Sequence, residues 1–246
     1  MKKYLIFFLL LLPSITAFSK DTSPDSLTVQ EIFTNSEKAY LNLETYCDSG
    51  MIINEVNNGD KPLKTTVAFK SAYAKKTGFN FDYYFPGSST SIYIINGYDK
   101  VVNTWQGETK KIETWSSFHL AINKAKGISP LTLHIIPTLL MPFPINPKSF
   151  LGFIKGDITG SEIIDHDACY VIRGTKPKNE RVTVWISQKE FMIRKIIIDK
   201  EISLKASETK GELLKGSERS TYYYYPYHPE KIKKKLFKFR PNREVN

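Results

Sequence analysis

TTVAFKSAYAKKTGFNFDYYF, residues 65–85, holds the two signals that decide the fold. On either side of Lys75-Lys76-Thr77-Gly78, apolar and aromatic residues recur at every second position, the period of a strand with one face inward. The four residues between are a turn. The stretch therefore predicts two antiparallel strands, Leu63–Tyr73 and Phe79–Phe85, with Phe79, Phe81, Tyr83 and Phe85 on one face.

The same period extends outward. Tyr46–Asn57 is a strand candidate closed by the turn signal Asn58-Gly59-Asp60. Beyond Pro86-Gly87, Ser91–Ile95, Asn96-Gly97 and Lys100–Gln106 predict a hairpin or two adjoining strands. The alternation returns after Phe150 in Gly160–Asp165, Cys169–Gly174, Val182–Ser187, Phe191–Ile198 and Ile202–Glu208. Thr221–Tyr225 and Lys231–Phe239 close the series. Two helical stretches interrupt it. Thr28-Val29-Gln30-Glu31 fits a capping box, and Val29, Ile32, Phe33, Ser36, Ala39, Tyr40 and Leu43 follow at helical spacing, predicting a helix from Val29 to about Thr45. In the middle of the chain, Ser116 or Ser117 caps a segment bearing Phe118, Ala121, Ile122 and Ala125. Ser129-Pro130 then opens the almost wholly apolar Leu131–Met141, which Pro137 should kink. An all-round apolar helix must be covered on most sides, and a sheet curled around it is the surface large enough to do so.

The N-terminus sets the compartment. Lys2 and Lys3, the apolar run Tyr4–Leu12, and small residues at Ser14, Thr16 and Ala17 have the layout of a secretory signal peptide. The run is shorter than the roughly 20 residues that a membrane span needs. The expected organisation is a signal peptide over 1–19 and a single domain over 20–246. The short basic start suits a bacterium, so the expected location is the periplasm. Export allows Cys47 and Cys169 to form a disulfide, and two buried thiols are the alternative.

The whole chain has 246 residues, 41% of them hydrophobic and 13% aromatic, which excludes wholesale disorder. Lys and Arg number 35 against 25 Asp and Glu, a net charge of +10 that favours a negatively charged partner. Two cysteines exclude a disulfide-dense scaffold and a four-cysteine zinc site.

In order along the chain, YLNLETYCDSG (40–50), TTVAFKSAYAKKTGFNFDYYF (65–85), IINGYDKVVNTW (94–105), ISPLTLHIIPTLLMP (128–142), the pair CYVIRGT and RVTVWIS, and the closing KLFKF resemble the periplasmic lipoprotein-carrier superfamily, LolA/LolB-like, in an uncharacterised branch. The resemblance implies an α+β, mainly β fold: an unclosed antiparallel β-barrel or strongly curved sheet with an N-terminal helix and a helical lid over a hydrophobic cavity. In the family's carriers that cavity holds the acyl chains of a lipoprotein. No counterpart of the carriers' functional arginine is found, so that residue is not transferred.

The function expected is therefore binding of a lipid or lipoprotein acyl chain, with a role in lipid or lipoprotein trafficking. The alternative is a non-transporting envelope interaction or stress-sensing protein of the same fold. The cavity candidates are Phe79, Phe81, Tyr83 and Phe85, then Trp105 and Trp115, then Ile135, Ile136, Leu139 and Leu140 of the insert, and Trp185 and Phe191 of the later strands. Plain core packing is the competing reading of such aromatic stripes. In the basic run KIKKKLFKFR, Lys233, Lys234, Lys235, Lys238 and Arg240 fit either an edge strand guarded by lysines or contact with anionic lipid head groups. Export argues against nucleic acid as the partner. No catalytic residue, metal ligand or cofactor is expected. His119, His134, His166 and His228 form no zinc motif, and Asp165-His166-Asp167 fits a solvated turn. A monomer is expected.

Overall fold

The computed structural model describes residues 27–57, 62–87, 93–98, 101–106, 111–117, 120–122, 135–141, 155–205 and 213–238. The expected signal peptide lies outside them.

Helix α1 (Val29–Leu41) begins with the capping box that the sequence predicts. The Thr28 hydroxyl accepts from the Glu31 N–H at 3.2 Å, and the Glu31 carboxylate accepts from the Thr28 N–H at 2.8 Å. The helix stops short of Thr45. Asn42 caps it with its N–H on the Lys38 carbonyl, and Thr45 already belongs to the first strand. Its inward face carries Ile32, Phe33, Ser36 and Tyr40. Burying each of the larger apolar side chains contributes about 1.5–3 kcal/mol.

Among the described residues eleven strands follow: β1 (Thr45–Asn57), β2 (Leu63–Ala74), β3 (Gly78–Tyr84), β4 (Tyr93–Tyr98), β5 (Val101–Gln106), β6 (Lys111–Trp115), β7 (Lys155–Ile164), β8 (Asp167–Thr175), β9 (Arg181–Ser187), β10 (Ile193–Lys205) and β11 (Leu213–Tyr227). They form one antiparallel sheet in the order β6-β5-β4-β3-β2-β1-β11-β10-β9-β8-β7. Strands β1 to β6 step outward in chain order and β7 to β11 step back inward. Among the described residues, the two runs are hydrogen-bonded to each other where β1 pairs with β11, Gly50 opposite Tyr224. With β6 and β7 as its edges, the sheet is unclosed. The fold is mainly β with an N-terminal helix, as the sequence resemblance implies.

The sheet is strongly bent. Phe79 and Phe81 of β3 and Tyr170 and Ile172 of β8 belong to one buried cluster with α1. Laid flat, those strands would stand roughly 29 Å apart, about three helix diameters. Only a curled sheet brings both onto a single helix.

Several expectations are corrected. The segments Phe191–Ile198 and Ile202–Glu208 are not separate strands, because β10 runs from Ile193 to Lys205; Phe191 and Met192 precede it, and 206–208 lie outside the described residues. The polar residues between them are paired across to β11: Asp199 with Arg219 at 2.6 Å and Lys200 with Glu218 at 2.9 Å. Those cross-strand ion pairs carry the strand where apolar alternation lapses. Strand β6, with one short apolar alternation, was not anticipated. In the predicted strand Lys231–Phe239, the described residues 231–238 are not a strand, and Phe239 lies outside them. Strand β11 reaches the start of β1 at the Cys47–Tyr227 pair, Pro229 then lacks an N–H, and the chain turns into a 3-10 turn at Lys234–Phe237. The lysines of that run therefore guard no sheet edge. Helix α2 (Ile136–Leu140) starts late enough that Pro137 sits in its first turn, where a proline is tolerated, and does not kink its middle.

Candidate functional site

Among the described residues, the concave face of the sheet, α1, α2 and the helical residues Ala121 and Ile122 pack around one interior. Tyr46, Asp48 and Ile52 reach it from β1, Phe69 and Ser71 from β2, Phe79, Phe81 and Tyr83 from β3, and Tyr222 and Tyr224 from β11, following the two-residue period. Ile135, Ile136, Leu139 and Leu140 of the insert pack onto the same cluster. Trp115 and Phe191 join it half-buried, and Phe191 stacks on Tyr170 with ring centroids 6.4 Å apart.

Two predicted lining residues lie elsewhere. Phe85 follows the end of β3 and is 53% exposed, since the pairing that holds the alternation stops at Tyr84. Trp185 is buried on the convex face with Cys169 and Val171. Neighbouring Val184 and Ile186 take the inward positions of β9, so the strand's parity sends the tryptophan out. Its indole N–H donates to Glu162 at 2.8 Å, and the Lys195 ammonium lies 4.4 Å over the ring. The Trp105 side chain is outside the described residues.

One constriction shapes the floor. Gly50 lies between Phe69 and Tyr224, and a Cβ added there would stand 2.1 Å from the Phe69 ring. Its bare backbone lets that ring lie across β1 against Tyr224, with centroids 5.6 Å apart, and against Phe81 at 5.8 Å.

A polar group sits inside this apolar setting. Asp48 is 3% exposed. The Tyr46 hydroxyl donates to its carboxylate at 2.8 Å, and the Ser71 hydroxyl donates to the other oxygen in a very short contact. Burial pushes the carboxyl up to about 6, and those hydrogen bonds hold it from rising further. The Tyr40 hydroxyl of α1 accepts from the Ile193 N–H at 3.1 Å, which ties the helix to β10. Burial raises the Tyr40, Tyr46 and Tyr224 phenols well above their ordinary range, so they stay neutral donors. The Ser36 and Tyr224 hydroxyls have no hydrogen-bond partner among the described residues. Sequence reasoning missed this group. Its signal was an acidic residue in the inward phase of an apolar alternation, Tyr46-x-Asp48-x-Gly50-x-Ile52.

Both cysteines are free and buried. Cys47 is on β1 and Cys169 on β8, with β11, β10 and β9 between them. That separation, about 19 Å along the sheet, far exceeds the ~7 Å a disulfide allows. Burial raises both thiols, Cys169 to about 11. Asp165 and His166 form the β7–β8 turn with φ of 49° and 64°, and His166 is exposed. Lys233, Lys234, Lys235 and Lys238 are exposed on the closing turn, and Arg240 lies outside the described residues.

No family model matches the chain, and no curated protein matches it. Among solved structures it is similar to an uncharacterised conserved protein from Thermus thermophilus, with a TM-score of 0.47 and 11% identity over 88% of this chain and 97% of that one. It is also similar to a LolA superfamily protein from Nitrosomonas europaea, with a TM-score of 0.35 and 12% identity over 87% and 99% of the two chains. A third is a putative outer membrane lipoprotein-sorting protein domain from Vibrio parahaemolyticus, with a TM-score of 0.36 and 9% identity over 83% and 94%.

Proposed function

We propose that this chain is an exported, periplasmic binding protein that holds a lipid or the acyl chains of a lipoprotein in the interior between the curled sheet and its helices. The observation that supports this reading is one continuous apolar face of the curled sheet covered by helices and not by a second sheet. The floor is a broad aromatic and aliphatic face drawn from both runs of strands. Over it, among the described residues, helix α1, the residues Ala121 and Ile122, and α2 (Ile136–Leu140) pack their apolar side chains. An acyl chain entering between the sheet and these helices gains about 0.8 kcal/mol per buried CH₂. The exposed lysines of the closing turn suit anionic head groups, at about 1 kcal/mol per basic residue near the membrane. The chemistry needed is burial and release; the reading assigns no catalytic group.

A second reading has its own support. Tyr225 and Tyr227 are 41% and 56% exposed on the convex face of β11, and aromatic side chains of that kind anchor protein interfaces. On that reading the chain binds an envelope protein and its interior stays filled by its own side chains.

Native mass spectrometry of the mature protein, purified from its host envelope without detergent, separates the two. Added mass that solvent extraction releases as lipid supports the binding reading. The bare polypeptide mass, unchanged after incubation with vesicles of host lipid, overturns it in favour of the second.

A further inference from the structure

Most hydroxyls described in the interior are already engaged. Tyr46 and Ser71 serve Asp48, and Tyr40 serves the Ile193 N–H. Among the described residues, the hydroxyls of Tyr224, 1% exposed, and Ser36, fully buried, have no partner. Leaving such a group buried and unpaired costs about 1–3 kcal/mol each. A serine within a helix ordinarily returns its hydroxyl to the carbonyl one turn back, and Ser36 does not. Ser36 is on the inward face of α1 and Tyr224 on the inward face of β11, two elements whose side chains share one buried cluster.

We propose that the Tyr224 hydroxyl, with Ser36 from α1, anchors an uncharged carbonyl of the bound ligand, so that the interior selects acyl esters or amides over free fatty acids. The inference rests on the lipid-binding reading and names its ligand class. Both hydroxyls can donate, and a carbonyl oxygen accepts two hydrogen bonds. Asp48 supplies the discrimination. Among the described residues, its carboxylate is held by hydroxyls and not by a cation. It stands on the same face of β1 as Gly50, the residue opposite Tyr224, one inward position away. A fatty-acid carboxylate or a phosphate would meet that like charge in a dry setting, whereas an ester carbonyl would not.

Displacement of bound N-phenyl-1-naphthylamine by dodecane, methyl laurate and laurate tests this in the wild type and in Tyr224→Phe. The ratio of ester to alkane affinity should fall about tenfold in the variant, the equivalent of one lost hydrogen bond, while alkane affinity holds. Ser36→Ala should move the ratio in the same direction, and it serves as the test if Tyr224→Phe does not fold. A ratio unchanged in both variants overturns the anchor. Preference of the wild type for laurate over methyl laurate overturns the neutral-ligand assignment. Failure of the wild type to bind any of the three overturns the lipid-binding reading, and the anchor with it.

Discussion

At the scale of single residues, Asp48 and Gly50 carry the most specific consequences. An unfolded Asp48 titrates near 3.8, whereas the folded one is raised to about 6. The folded state therefore holds the proton more tightly, and above about pH 6 the buried charge opposes folding. That penalty is relieved as the pH falls from about 7 toward 4, by up to about 3 kcal/mol. Urea unfolding at about pH 7.5 and pH 5 should show Asp48→Asn gaining about 1 kcal/mol less than the wild type on acidification, because other carboxylates cancel in the comparison. An equal gain in both proteins would mean that Asp48 is not a buried charge. Gly50→Ala should destabilise by about 2 kcal/mol or more, since the Phe69 ring cannot lie where it does beside a Cβ. Full stability of that variant would contradict the packing of Phe69 across β1. Neither residue stands out in a composition or a motif. Asp48 is one acidic residue in an alternating strand, and Gly50 is one glycine whose need arises from a ring on the neighbouring strand.

At the scale of elements, the local signals were sufficient where one segment decides its own structure. The capping box Thr28-x-x-Glu31 fixes the start of α1, and Thr28→Ala should lower thermal stability by about 1 kcal/mol, measured against an unchanged sheet signal in circular dichroism. The hairpin of residues 63–84 was legible because its turn and its alternation agree. Legibility failed where partners from afar decide. The join in β10 depends on Arg219 and Glu218 of another strand. The turn that replaces Lys231–Phe239 depends on where β11 runs out of partner. The outward position of Trp185 follows from a parity that an apolar run on both faces hides, since Val182, Val184, Trp185 and Ile186 are all buried.

At the scale of the whole molecule, the spacing of Cys47 and Cys169 across the sheet has a simple readout. The purified chain should have the same mass before and after reduction, and neither thiol should react with Ellman's reagent until denaturant is added, because burial keeps both protonated. A loss of two hydrogens would require a different strand order. The strand order also says how the molecule comes together. Among the described residues, pairings in each run link strands that follow one another in the chain, and β1 and β11 join the runs, along the unbroken register from Cys47–Tyr227 to Asn57–Ser217. Closing that seam brings together residues more than a hundred and fifty positions apart, the slowest kind of contact to form. The molecule is thus two ribbons zipped along one line. Two polypeptides made by cutting between Met141 and Pro142 should find each other in solution and restore the fold, as a torn sheet rejoins at its single tear.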